Sequence, residues 1–415
     1  MMSIPFSFDT IGWQRLHTGS LGPYIDPFAQ YLSKQGYADA TARGKLRVVA
    51  KLSQWLEQQL FSLNRLDEQQ ISAFIQELHQ CRHRTRRGDA STLSELLRLL
   101  RNKGIIPAPS TTNAPNALEQ LEDDFACYLT EERCLAKATI DNYVPVAHRF
   151  LTVQFGDDVS KIELLRVGDV TQFILNHLCN LSPKTAQLGV TALRCFFRFL
   201  YQRGKLVTDL AAALPTVANW RLSELPKFIA PQEVEHLLQS CNQNCLSQQR
   251  DYAVLLLLAR LGLRAGEVVH LNLDDINWRT GLLNVRGKGE RIDQLPLPMD
   301  VGEALVRYLR NGRPNSTTSR RLFVRLRAPY IGFASSVAID CIMHRALQRA
   351  ELDPPHKGAH LLRHSLATRM LHNGASLAEI GQMLRHRLTQ TTEIYAKVDE
   401  TTLGALAQPW PGERP

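Results

Sequence analysis

The sequence predicts a mainly α-helical protein with one small antiparallel β-sheet in its last third. Three observations lead there. Apolar residues recur at three- and four-residue steps from residue 23 to 106 and again from 118 to 214, the period of helices that bury one face. Between Asp275 and Leu295 the pattern shortens to strand length around a turn at Arg279-Thr-Gly281. Two proline-bearing stretches, Pro107 to Pro115 and Val217 to Ile229, interrupt the helical pattern and read as linkers.

The chain of 415 residues has room for two or three domains, and its 44% apolar content can bury real cores. Lysine and arginine (49) outnumber the acids (40), giving a formal net charge of +9. That balance suits a polyanionic partner. The longest apolar run, Tyr252 to Ala259, is too short to cross a bilayer. The first residues, Met1 to Asp9, have neither the charged start nor the apolar core of a signal peptide. The expectation is a cytoplasmic protein with no membrane partner. Eight cysteines are scattered. Only Cys241 and Cys245 are close, and no second pair completes a zinc site. They read as thiols of a reducing compartment, with no metal.

In chain order, residues 1–106 form a first helical domain. Its helical runs include Phe28-Ala-Gln-Tyr-Leu, Leu46 to Leu56, Ile71 to Ile75 and Leu93 to Leu100. It also carries Arg82-His-Arg84-Thr-Arg86-Arg87, either a phosphate patch or a solvated basic loop. Residues 107–117 are the first linker. A second helical domain, 118–216, resembles the first at offsets of 97 to 100 residues: Phe125-Ala-Cys-Tyr-Leu, Ala138-Thr139, Phe173-Ile174 and Gly204 follow Phe28, Ala40-Thr41, Phe74-Ile75 and Gly104. The order fits a degenerate duplication, although two amphipathic bundles can look alike by chance. Ser182 and Thr185 suit helix caps. After the linker 217–229, a domain spanning 230–400 opens with a helix at Pro231. An apolar helix from Asp251 to Leu263, the sheet, and helices over Met299–Leu309 and Ser336–Leu352 follow. The stretch Asn311 to Phe333 is polar and basic. Residues 401–415 form a tail.

The stretch from His360 to Tyr395 carries chemistry. His360 and Arg363 are three apart, so on a helix they share a face. Gly374 ends that helix, and the short run Leu377 to Leu384 delivers His386. Tyr395 follows nine residues later. Upstream, Leu261-Gly-Leu-Arg264-Ala-Gly-Glu267 follows the apolar helix, and Gly287-Lys288-Gly289 sits in a hairpin. Two imidazoles, guanidinium groups, a lysine and a phenol make a set able to transfer a phosphoryl group. Guanidiniums clamp phosphate oxygens and stay charged at any working pH.

The order Arg264, Lys288, His360-x-x-Arg363, His386, Tyr395 resembles the tyrosine recombinases, the phage-integrase and Xer-like family, over residues 118–400. The resemblance implies a site-specific recombinase that cuts and rejoins double-stranded DNA through a 3′-phosphotyrosyl link, with no metal and no nucleotide cofactor. Tyr395 is then the nucleophile, Arg264 and Arg363 the clamp, and Lys288 the general acid. His360 accepts the phenol proton, His386 holds a non-bridging oxygen, Glu267 buttresses the site, and His364 holds the fold. Residues 118–216 become a SAM-like core-binding domain and 230–400 the catalytic domain. Lys137, Thr139, Ser182, Lys184 and Thr185 become phosphate contacts at helix starts, joined by Arg82, Arg84, Arg86 and Arg87 in the first block. The family habit implies four protomers on two sites, identical or shared with a sister recombinase. The tail, with Leu403 and Leu406, would then dock on a neighbour. The extra N-terminal block points to a mobile-element integrase or transposase. Three departures stand out: Leu361 follows the first histidine, Leu384-Arg385-His386 replaces the usual Leu-Gly-His, and Leu261 replaces a threonine. Two other readings stay open, a type IB topoisomerase-like nicking-closing enzyme and a non-catalytic DNA-binding accessory protein.

Overall fold

The computed structural model describes residues 6, 10–80, 88–108, 116–156, 158–218, 225–241, 243–287 and 291–398. The chain divides into two compact units, 1–108 together with 224–415, and 109–223. Among the described residues it is mainly helical with one three-stranded antiparallel sheet.

The first helical block holds α1 (Thr10–Leu16), α2 (Ile25–Lys34), α3 (Asp39–Gln58), α4 (Glu68–Gln80) and α5 (Asp89–Asn102). Their apolar stripes meet in one core of Phe28, Leu46, Leu52, Phe74, Leu93 and Leu100. Lys45 bridges α3 to α5, reaching Thr92 and Glu95 at 3.1 Å each. Within the same unit Gly36, at φ +78°, faces the Tyr330 ring, and a Cβ there would collide with it.

The second unit holds α6 (Ala117–Glu131), α7 (Lys137–Phe155), α8 (Val167–His177) and α9 (Pro183–Gln202). Its core is aromatic. Phe125 lies edge-on to Phe196, and Phe150 edge-on to Phe173 and Phe197, the arrangement ring quadrupoles favour. Ser182 caps α9, its hydroxyl accepting the Thr185 amide at 3.3 Å, with Pro183 in the first helical turn.

The C-terminal part begins with α10 (Pro231–Gln239) and α11 (Leu246–Leu261). Residues 253–258 of α11 are all buried, because a helix apolar on every side belongs at the centre of a core. α11 packs on later helices on several sides and ends at Gly262 in the left-handed region, φ +55°. α12 (Ala265–His270) follows at once. β1 (Ile276–Asn277), β2 (Leu282–Arg286) and β3 (Ile292–Pro296) form the sheet in that order. Leu283 pairs with Leu295 and Arg286 with Ile292, and Leu283, Val285 and Leu295 face the core. Beyond α13 (Met299–Arg307), the basic stretch 311–333 proves to be a strap. Leu322, Phe323 and Val324 are buried. Arg313 donates to the Ser319 and Arg321 carbonyls, Arg321 to the His270 carbonyl, and Arg320 pairs with Asp274. These guanidiniums serve the backbone and one carboxylate. α14 (Val337–Arg349), α15 (His360–His372) and α16 (Leu377–Met383) complete the fold. Ser376 caps α16 reciprocally with Glu379.

Candidate active site

A cleft of about 800 Å³ opens between the β2–β3 turn, the start of α12 and the segment after α16. Gly287, Arg291, Arg264, Arg385, His386 and Thr392 are among the residues that line it. Arg264 stands there because it is the residue before α12, two residues beyond the α11 cap. Its backbone amide donates to Glu267 Oε2 at 2.8 Å and its Nη1 to Glu267 Oε1 at 2.7 Å. One buried carboxylate therefore fixes both the backbone and the guanidinium of Arg264. The helix-end pair of Arg264 with Glu267 and its place in the cleft coexist.

Arg363 lies beneath, 3% exposed. Its two terminal nitrogens donate to the carbonyls of Gly262 and Leu384. It thereby joins the end of α11 to the end of α16. Gly262 sits so close that a Cβ would come within 2.7 Å of Leu384 Cδ2. Tyr395 is 1% exposed, on a short 3₁₀ segment, Glu393–Val398. It packs in a small apolar cluster with Leu366, Ala367, Ile380 and Leu384.

The histidines divide. His364, assigned from sequence to holding the fold, meets Tyr395 Oη with its Nδ1 at 2.9 Å. His360 lies one turn earlier on α15 and is exposed, its ring centroid 6.3 Å from that of His364. His386 stacks parallel to the Tyr395 ring with centroids 6.5 Å apart. Its Nδ1 is 2.8 Å from the hydroxyl of buried Thr392, which leaves Nε2 for another partner. Thr392 and His364 are thus two contacts of the site residues to which the sequence reading gave no chemical role. Tyr308, another phenol of the same domain, is fully buried, and its oxygen accepts the Val324 amide at 3.2 Å.

Electrostatics follow from burial beside cations. Burial, opposed by Arg363 and Arg264, pushes the Tyr395 phenol up to about 12. Burial, then His360 and Arg363, pushes His364 down to about 4. His386 falls to about 4 for the same reason, with Arg363 and Arg264 next in size. Both imidazoles are therefore neutral at pH 7. Burial and the neighbouring Arg264 and Arg385 lower Arg363 to about 10, so it stays charged. Burial raises Glu267, but Arg385 and the Arg264 amide and guanidinium outweigh it and hold the carboxyl below its ordinary range.

Lys288 lies outside the described residues. The flanking Gly287 and Arg291 line the cleft, and the Gly287 amide bonds the Arg291 carbonyl at 2.8 Å. Arg82, Arg84, Arg86, Arg87 and the tail from 399 onward also lie outside them. In the second unit Lys137 opens α7 and pairs with Asp141 at 3.2 Å. Thr139 is half-buried, and Ser182, Lys184 and Thr185 are exposed at the start of α9. Among the described residues no cluster of histidine, cysteine, aspartate or glutamate is placed to hold a metal ion. Among them, too, no helix is long and apolar enough to cross a membrane.

A helical domain ahead of a mixed domain that gathers two arginines, two histidines and a buried tyrosine defines a DNA strand-transferring enzyme of the integrase type. Residues 227–402 match the phage integrase family, and residues 123–204 match the phage integrase N-terminal SAM-like domain. The chain is 42% identical to y4rA of Sinorhizobium fredii strain NBRC 101917 / NGR234, a candidate integrase/recombinase. That match covers 95% of this chain and 96% of the other. It is 29% identical to the tyrosine recombinase XerD of Listeria innocua, across 69% of this chain and 96% of that one. The fold is that of XerH bound to its palindromic difH substrate, with TM-score 0.52, 17% identity, and 77% and 95% of the two chains covered. The chain belongs to the phage integrase family and is a tyrosine recombinase, an enzyme of site-specific DNA recombination.

Proposed function

We propose that Tyr395 is the nucleophile of this recombinase and that the cleft above it receives the scissile phosphate. The observation that carries the reading is the buried Tyr395 hydroxyl. It lies 2.9 Å from a neutral imidazole and beside His386, under a cleft lined by Arg264. In the reaction, Tyr395 Oη attacks phosphorus and the bond to the 5′ oxygen breaks. A 3′-phosphotyrosyl link and a free 5′-hydroxyl result. The corresponding hydroxyl of another strand then attacks that link and releases the tyrosine.

Arg264 and Arg363 balance the charge that grows on the phosphorane. His386 donates to a non-bridging oxygen, and Lys288 protonates the departing 5′ oxygen. His364 holds the phenol at rest. His360, the first residue of α15, is the group to which the proton passes once the tyrosine reaches the phosphate. A phenol pushed up to about 12 is a poor nucleophile, so DNA binding must bring it out beside the arginines. Residues 118–216 and the catalytic domain 230–400 grip duplex DNA, with Lys137, Thr139, Ser182, Lys184 and Thr185 on phosphates. Arg82, Arg84, Arg86 and Arg87 extend that grip through residues 1–106. Four protomers, alike or shared with a sister recombinase, act on two sites, with the tail coupling neighbours. Integration of a mobile element is the use that the extra N-terminal block favours.

The test is a nicked suicide substrate that traps the covalent intermediate. Wild type should give a protein–DNA adduct stable to denaturant, and Tyr395→Phe should bind the site normally and give none. An adduct with the variant would remove Tyr395 from the role.

A further inference from the structure

Arg385 occupies a position that its backbone disfavours. It follows α16 at φ +54°, a left-handed conformation that costs a side-chain-bearing residue about 1 kcal/mol and that glycine adopts freely. Its guanidinium then turns inward to only 6% exposure. Nη2 donates to Glu267 Oε2 at 2.7 Å, and Nη1 lies 3.4 and 3.5 Å from the carbonyls of Met383 and Leu261. Nε is buried with no hydrogen-bond partner. A strained backbone, a buried charge and an orphaned donor all count against stability. A glycine would remove all three.

The geometry of Glu267 shows what the arginine does there. Oε2 accepts from Arg385 and from the Arg264 amide, and Oε1 accepts from the Arg264 guanidinium. One carboxylate therefore ties the start of α12 to the turn that carries His386, across 118 residues of sequence. His386 is the next residue after Arg385, and its amide is anchored on the Gly381 carbonyl at 2.9 Å. Without Arg385, Glu267 holds Arg264 alone, and the His386 turn loses its tie to Glu267 and keeps the Arg363 bond to the Leu384 carbonyl and its local bonds.

We propose that Arg385 is a positioning residue for strand cleavage: through Glu267 it locks the Arg264 guanidinium and the His386 turn into one rigid unit around the scissile phosphate. Both terminal nitrogens are committed within the protein, so it acts through its neighbours and not as a phosphate ligand. The proposal rests on the reading of Arg264 and His386 as the groups that meet the phosphate.

The experiment compares Arg385→Gly, Arg385→Gln and Arg385→Lys with wild type in the full chain. Single-turnover cleavage of the suicide substrate is followed at saturating protein, beside site affinity. Glycine keeps the turn and loses the tie, so R385G should cleave roughly tenfold to a hundredfold slower, the scale for a slightly misplaced catalytic group. Its affinity for the site should stay within about threefold, because the tie works on the transition state more than on the bound complex. R385K should recover most of the rate, and R385Q should not. Glu267→Gln should slow cleavage similarly, and adding R385G to it should cost little more, since both cut the same link. If R385G cleaves as fast as wild type, the arginine is only a tolerated turn residue and the proposal is wrong. Equal losses in R385K and R385Q, or additive losses in the double variant, also overturn it. Should R385G fold poorly, the lysine and glutamine variants decide. Wild type and Tyr395→Phe run alongside. An adduct formed by Tyr395→Phe, or none by wild type, would sink the site reading itself, whatever Arg385 does.

Discussion

Replacing Arg363 with alanine should produce two separable losses. The first is of stability. The terminal nitrogens of Arg363 serve the carbonyls of Gly262 and Leu384 in a region where the arginine itself is 3% exposed. Each buried carbonyl left without a donor costs about 1–3 kcal/mol, so the pair should lower unfolding free energy by roughly 2–6 kcal/mol. That is a large share of the 5–15 kcal/mol typical of a domain. The second loss is catalytic. Removing one cationic donor from a developing phosphorane should slow cleavage by about a hundredfold or more. Urea unfolding of the full chain measures the first loss by the shift in midpoint at unchanged slope. Single-turnover cleavage, at a temperature where the variant is folded, measures the second. Arg363→Lys keeps the charge, but one ammonium cannot span two carbonyls. It should regain more of the rate than of the stability. An Arg363→Ala protein as stable as wild type would refute the claim that this side chain joins α11 to α16. Unimpaired cleavage by folded variant would refute its place in the clamp.

Three further outcomes are expected. His364 and His386 both sit near 4, below an ordinary histidine at 6.5, so the unfolded chain binds protons first. Stability should hold above pH 6.5 and fall as pH drops from there towards 4, by about 1–2 kcal/mol at pH 5 for His364 alone; in urea melts His364→Asn should show a shallower fall than wild type, and an identical fall would contradict the burial argument. Lys288→Ala should cleave slowly on ordinary DNA and regain its rate on a substrate whose 5′-bridging oxygen is sulfur, which needs little protonation. Arg363→Ala should gain nothing from that sulfur, and failure of selective rescue in the lysine variant would remove the acid role. Deleting residues 1–110 should shorten the DNA footprint and flatten the salt dependence, each lost phosphate contact lowering the slope by about 0.9; an unchanged footprint and slope would point to a protein-contacting block instead.

Much of the fold was legible because its signals are local. Helical period, the glycine after α15 and Ser182 as a cap are read within a few residues. The mostly helical class with one small antiparallel sheet follows from such signals alone. The site was legible only as an order of residue types. His360 and Arg363 share a helical spacing, yet one is exposed and the other buried. His360 is the first residue of α15 and projects past the core, while Arg363 lies against the end of α11. Spacing alone gives no such depth. The contact of His364 with Tyr395 spans 31 residues, and that of Arg385 with Glu267 spans 118. Both depend on how α15 and α16 pack. The arginines at 313, 320 and 321 read only as part of a polar, basic stretch, and the carbonyls and the carboxylate they serve come from folding.

The charges of the site have a common logic. Arg264, Arg363 and Arg385 gather around Glu267, whose carboxylate offsets one of them. His364 and His386, held neutral, add nothing at pH 7. Among these residues the excess is therefore two positive charges. A phosphodiester brings one negative charge, and its pentavalent transition state approaches two. A site with that excess stays under-compensated by the bound substrate and comes into balance as the reaction proceeds. That is the differential stabilisation that raises rate instead of affinity. Protonating both histidines would carry the excess to four and favour tight ground-state binding of the phosphate. Their burial is thus more than a by-product of packing. It keeps both imidazoles uncharged at pH 7, with His364 beside the Tyr395 hydroxyl.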